Sequence, residues 1–193
     1  MTEQKQSGII PQVGTGSFMD PGKIINHINI KEGSVVADIG CGAGYFTVPI
    51  AKKVGNTGQV YAIDVLTSAL ELVESKAKLE GLLNIKTIRA NAEVNNSSKL
   101  GDHIADFVIL ANIFRQTNSN GRPIILAESK RILKNNGLLA VIDLIPGKNA
   151  LGVENKDCAS EKEIKELAVR VGFRFERSFA VDGDHYGLVF AIR

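Results

Sequence analysis

Val35-Val36-Ala37-Asp38-Ile39-Gly40-Cys41-Gly42-Ala43-Gly44-Tyr45-Phe46 joins an apolar run, an acid and three alternating glycines. The pattern reads as a buried strand, a tight turn and the start of a helix. Glycine admits backbone angles closed to other residues and leaves room for a ligand to lie against the chain. The first amides of the following helix have no intrahelical partner. Asp38 and those amides together suit a ligand that carries both an amine and a carboxylate. A second acid, Asp64, closes the run Tyr61-Ala62-Ile63-Asp64, where it would either meet a ligand or cap the next helix. His185 offers an imidazole, which titrates near neutrality and suits a general base; the simpler reading is an exposed hairpin histidine. Asp143 ends another apolar run, either facing a substrate or buried and hydrogen-bonded.

The glycine spacing discriminates between nucleotide folds. A dinucleotide fingerprint needs glycines at the first, third and sixth places of its turn, and Tyr45 fills the sixth. Asp38, two residues before the first glycine, would also repel a pyrophosphate. A dehydrogenase is therefore a poor fit, and a phosphate-binding P-loop a worse one, because no lysine follows the last glycine.

The elements that must position these residues alternate regularly. Residues 1 to about 18 are rich in glycine, serine and glutamine and read as a flexible arm. Asp20-Pro21 starts a helix that carries Ile24, Ile25 and Ile28 and ends near Lys31-Glu32-Gly33. Strands are expected at Val35 to Asp38, Gln59 to Asp64, Ile85 to Arg89, Asp106 to Leu110 and Leu138 to Leu144. Helices fall between them: one to Val54, one capped by Thr67 or Ser68 with a Leu70, Val73, Ala77, Leu79 stripe, and one from Asn120 or Pro123 to Leu133, closed by Asn135-Asn136-Gly137. A helix from Glu161 to Val171 precedes strands Phe173 to Ala180 and Tyr186 to Ile192, with Asp182-Gly183-Asp184 as the hairpin turn. Such alternation predicts an α/β fold with a doubly wound, mostly parallel sheet and an antiparallel C-terminal hairpin. At 193 residues, one domain over residues 1–193 is expected.

Composition narrows the partners. A net charge of +2 is too near neutral for a nucleic-acid footprint, and the basic groups Lys130, Arg131, Lys134 and Arg170, Arg174, Arg177 have acids nearby. No apolar run is long enough to cross a bilayer and the first residues are polar, so no membrane segment is expected. Two cysteines, Cys41 and Cys158, cannot build a metal site alone and suit a reducing, cytoplasmic setting. A homodimer is left open.

Asp38-Ile39-Gly40-Cys41-Gly42-Ala43-Gly44 resembles the first motif of the class I S-adenosylmethionine-dependent methyltransferases, the loop that holds the methionine part of the cofactor. The resemblance runs in register from about Lys31 to about Asp143, with a weaker echo at the C-terminus. Tyr45-Phe46-Thr47-Val48-Pro49-Ile50-Ala51-Lys52-Lys53-Val54-Gly55 is similar to bacterial and archaeal members acting on small molecules, in the ubiquinone/menaquinone-methyltransferase-like group. That likeness does not make a quinone the substrate. It implies a seven-stranded sheet whose last strand inserts between its neighbours, and S-adenosyl-L-methionine as cofactor, with S-adenosyl-L-homocysteine as product.

By the same resemblance Gly40, Cys41 and Gly42 form the cofactor loop, and Asp38 orients it and meets the cofactor amine directly or through water; a purely structural role for Asp38, bonding loop amides, stays open. Asp64 would accept hydrogen bonds from both ribose hydroxyls, with Val65 and Leu66 on the adenine. Asn91-Ala92-Glu93 stands where an acid–alanine pair is usual; Asn91 can still accept from the adenine amine. Ala111 and Asn112 would lie near the methyl group. Specialised subtypes fit poorly: Leu110-Ala111-Asn112-Ile113-Phe114 is not the Asp/Asn-Pro-Pro-aromatic run of amino methyltransferases, and it lacks the metal-binding acids of catechol-type enzymes and the basic acids of polyamine synthases. Arsenite enzymes need several thiols. The expected function is methyl transfer by in-line displacement to a small-molecule acceptor, with the catalytic residue unknown and His185 and Asp143 as candidates. The alternatives are an inactive cofactor-binding or regulatory protein, or an RNA or protein methyltransferase.

Overall fold

Among the described residues, 19–147 and 158–193 of a computed structural model, seven strands and five helices alternate. The arm expected over residues 1–18 lies outside them. The order is α1 (Pro21–Ile28), β1 (Val35–Ile39), α2 (Thr47–Val54), β2 (Gln59–Asp64), α3 (Thr67–Leu79), β3 (Ile85–Arg89) and β4 (Ala105–Ala111). A short 3-10 turn, Phe114–Gln116, leads to α4 (Gly121–Ile132) and β5 (Leu133–Leu144), then α5 (Glu161–Val171), β6 (Phe173–Ala180) and β7 (His185–Ile192).

The strands form one sheet in the order β3-β2-β1-β4-β5-β7-β6. The first five run parallel, while β7 is antiparallel to both β5 and β6. The last strand is therefore inserted, as the resemblance implied. Successive residues of the central strands serve opposite faces. Leu110 and Val141 join Ile125, Leu126 and Ile164 of α4 and α5 on one side. Ile109 and Ile142 join Ile24, Ile28, Ile50 and Val54 of α1 and α2 on the other. Burial on both faces explains why these strands are continuous apolar runs rather than alternating ones. Strand order reverses between β1 and β4, and ligands of open α/β sheets bind in the crevice at that reversal.

Local departures have local causes. The first helix stops at Ile28 rather than near Gly33, because Asn29 turns left-handed (φ 64°) and its amide bonds the carbonyls of Ile25 and Asn26. Asp20 does cap it, accepting from Gly22 and Lys23. Neither Thr67 nor Ser68 caps α3: the cap position is Leu66, with no side-chain bond. Leu79 is exposed and leaves the Leu70, Val73, Ala77 stripe, since two residues on a helix rotate it about 200° from Ala77. The expected loop at Asn135-Asn136-Gly137 is instead an irregularity within β5, whose pairing with β4 jumps between Ala105↔Leu133 and Phe107↔Leu138.

Gly58, at the entry to β2, packs without room for a side chain. A Cβ there would stand 2.5 Å from Val54 Cβ and 2.7 Å from the Ser34 carbonyl. Gly58→Ala should lower stability in urea unfolding by about 1–3 kcal/mol, the usual cost of overpacking. An unchanged midpoint would show that α2 and β2 do not meet this closely.

Candidate active site

The loop after β1 is held by the neighbouring strand. Gly40 and Cys41 donate their amides to the Ile63 carbonyl at 2.8 and 3.1 Å. Gly40 (φ 72°) and Gly42 (φ 51°) are left-handed, conformations that favour glycine. A Cβ at Gly40 would stand 2.9 Å from Ile113 Cδ1, whereas one at Gly42 would meet nothing within 4 Å. One wall of the loop is therefore packed, and its outer side is open.

Asp64 ties the loop to the end of β2. One carboxylate oxygen accepts from the Gly42 amide at 2.9 Å, the other from the Leu66 amide at 2.9 Å. A carboxylate has about four acceptor positions, so lone pairs remain for a ligand with neighbouring hydroxyls. Beside it Val65 and Leu66 are 53% and 60% exposed, an apolar surface left uncovered by the described residues.

Gly40, Gly42, Asp64, Val65, Asn91 and Ala92 line one cleft of about 240 Å³. Ligand pockets run about 300–1,000 Å³, so this cleft alone is smaller than such a pocket. Ile113, Gln116 and Thr117 form its opposite wall. They belong to the turn after β4, which carried no pattern in the sequence. Asn91 Oδ1 accepts from the Glu93 amide at 2.9 Å, which fixes its amide orientation and leaves a second lone pair for a ligand amine.

Four expected residues lie outside this cleft lining. Asp38 is buried beneath the loop and accepts from the Thr47 hydroxyl at 2.6 Å. Thr47, nine residues on, was missed, though a hydroxyl in the first turn of a helix is a plain signal for such a bond. Cys41 packs with Ala62, Leu70 and Val73, and burial pushes its thiol well above the ordinary range. Ala111 packs against the α1–α2 side of the core. Asn112 is left-handed (φ 55°) and donates its amide to the Ile142 carbonyl at 2.8 Å.

Asp143 and His185 sit at the other end of this edge, on the adjacent strands β5 and β7. Asp143 is fully buried and accepts from the amides of Phe114 (3.1 Å) and Leu144 (2.8 Å). Burial pushes its carboxyl up to about 6, against the opposing effect of those amides. This is the bonding of an acid that anchors the turn after β4. His185 Nδ1 contacts Asp182, at 2.9 and 3.0 Å from its two oxygens. The basic groups are engaged: Arg131 with Glu128 and Asp102, Lys134 with Asp106, Arg174 with Glu176, Arg170 with Glu166. Among the described residues no helix is long and apolar enough to cross a membrane, and no His, Cys, Asp and Glu group is placed to hold a metal.

Burial also raises the Asp38 carboxyl, from an ordinary 3.8 to about 6. Between those values the unfolded chain releases its proton while the folded one retains it, so folding loses stability as pH rises through this window. Asp38→Asn removes the titration and can still accept from Thr47. Relative to the parent it should gain up to about 3 kcal/mol between about pH 4 and pH 7 in urea unfolding. A pH-independent difference would contradict the burial.

Comparison with known proteins places the chain. Residues 36–137, just over half of it, match the family model described as a methyltransferase domain. The chain is 28% identical over 120 residues to a demethylmenaquinone methyltransferase of Geobacillus stearothermophilus, covering 62% of this chain and 49% of that one. It is 36% identical over 74 residues to a protein-L-isoaspartate O-methyltransferase of Methanococcus aeolicus, covering 38% and 34%. The crystal structure of a SAM-dependent methyltransferase from Aquifex aeolicus superposes with a TM-score of 0.82 at 29% identity, over 91% of this chain and 90% of that one. The chain spans about half the length of the demethylmenaquinone methyltransferases it matches. It belongs to the methyltransferase domain family.

Proposed function

We propose that the protein moves a methyl group from S-adenosylmethionine to a small-molecule acceptor by in-line displacement. The observation that carries this is the Asp64 carboxylate, fixed by the Gly42 and Leu66 amides at the rim of the cleft. When bound, the cofactor supplies a methyl group already activated on a positively charged sulfur, so proximity and alignment are what the protein must add.

The chain's residues divide that task. Asp64 keeps lone pairs for the two ribose hydroxyls, and Val65 and Leu66 offer the adenine an apolar face. Asn91 accepts from the adenine amine. Gly40, Cys41 and Gly42 provide a backbone surface for the methionine part, with Asp38 beneath them stabilising the cofactor amine at one remove. Ala111 and Asn112 border the methyl end. The two curated relatives described above carry names with unlike acceptors, a quinone precursor and a protein residue, so neither acceptor is carried over. Pairing of the basic side chains with acids favours a small molecule over RNA.

Calorimetry with S-adenosylhomocysteine tests the binding step, and a methyl-donor assay on a metabolite panel tests turnover. Binding without turnover would favour a regulatory protein, and binding of RNA that falls steeply with salt would favour that substrate. Asp64→Ala should weaken S-adenosylhomocysteine binding about 10- to 100-fold, the worth of one or two charge-assisted hydrogen bonds. Asp64→Asn, which keeps the shape, should weaken it less, and both should retain native circular dichroism. Affinity within about twofold of the parent in both variants would remove Asp64 from the site.

A further inference from the structure

Three buried polar atoms without partners among the described residues belong to side chains near Asp143: Asn112 Oδ1, Arg115 Nε and His185 Nε2. Asn112 pairs beside β5 through the Ile142 carbonyl, and Arg115 and His185 both lie near Asp143. Buried polar groups are nearly always bonded, so these three atoms call for a partner that the described residues do not supply.

His185 is the best defined of the three. Its side chain is only 10% exposed, and that of Asp182 only 2%. Asp182 Oδ1 also accepts from the amides of Asp184 and His185, both at 2.8 Å, so the carboxylate is locked in the β6–β7 turn. Burial pushes the Asp182 carboxyl up, but the His185 hydrogen bond and those amides outweigh it and hold it below the ordinary range. An ionised carboxylate only accepts, so Nδ1 carries a proton, and in the neutral imidazole Nε2 is the nitrogen with the bare lone pair. Among the described residues the other groups facing this corner are Asp143 from β5, Arg115 from the 3-10 turn, and Tyr45 from the loop before α2, whose hydroxyl is made harder to ionise by burial and by Asp20 and Asp182.

We propose that His185 Nε2, held in place by Asp182, takes the proton from a hydroxyl-bearing acceptor whose second oxygen meets Arg115. The inference rests on the methyl-transfer reading and names the substrate class it would serve, small hydroxy acids, aliphatic or aromatic. The acceptor oxygen gains the bond to methyl while the old methyl–sulfur pair stays on sulfur. The acceptor's proton passes to Nε2 of His185, and the resulting imidazolium is balanced by Asp182 until solvent takes the proton. His185 is thus the base, and Asp182 a positioning residue that selects the tautomer.

The test uses the full chain saturated with S-adenosylhomocysteine and long-range proton–nitrogen NMR of the histidine rings, with exposed His27 and His103 as internal references. The expected spectrum shows His185 protonated at Nδ1 alone. Salicylate or glycolate should move its Nε2 resonance while leaving those of His27 and His103 in place, and phenol, which lacks the second oxygen, should move it less. Asp182→Asn should give a mixture of tautomers and at least a tenfold weaker probe response, with S-adenosylhomocysteine affinity within about twofold of the parent. A proton on Nε2, an imidazolium at neutral pH, or no probe moving Nε2 would overturn the proposal. Failure of S-adenosylhomocysteine to bind would instead strike the methyl-transfer reading, and the apo spectrum would still decide the tautomer.

Discussion

The site depends on one carboxylate joining two strands. Asp64 ends β2 and reaches across to the Gly42 amide in the loop after β1, while its second oxygen holds the Leu66 amide that leads into α3. Hydrogen bonds to an ionised acceptor are stronger than neutral ones, so this clamp sets the spacing between loop and strand before any ligand arrives. It also explains why α3 starts without a side-chain cap at Leu66: the acid two residues earlier has already taken the amide that opens the turn.

The sheet makes that clamp possible. Parallel pairing of β1 with both β2 and β4 brings three strand ends to one edge, and reversal of strand order there opens the crevice. The glycine loop can then lie flat because Ile113, from the turn after β4, fills the space a side chain at Gly40 would need. Asp143 secures that turn from β5 through the Phe114 amide, and β7 lies beside β5 with His185 opposite Leu144. The inserted last strand thus brings the Asp182–His185 pair to the same edge as the cleft lined by Gly40 and Asp64.

What was legible in the sequence follows from how local each signal is. The strand-ending acid Asp64 and the Gly40–Gly44 spacing are read from a few contiguous residues, and the structure brings Gly40, Gly42, Asp64, Val65, Asn91 and Ala92 to one cleft. Strand and helix alternation was equally readable, because burial of both sheet faces writes long apolar runs into the chain. The wall made by Ile113, Gln116 and Thr117 was not, since it depends on a left-handed turn at Asn112 and on packing across the sheet. Asp182 was read only as turn chemistry; its grip on His185 needs the hairpin to close. The early stop of α1 at Asn29 and the exposure of Leu79 show the same limit, where one backbone angle or one helical rotation decides the outcome.

The central claim is that the donor lies across the Gly40–Gly44 loop against Asp64. Backbone amide NMR during titration with S-adenosylhomocysteine tests it most directly. The account predicts saturable shifts concentrated at Gly40, Gly42, Asp64, Leu66 and Asn91, with the β6–α5 side unmoved. Saturable shifts confined to another surface, or none at all, would contradict it.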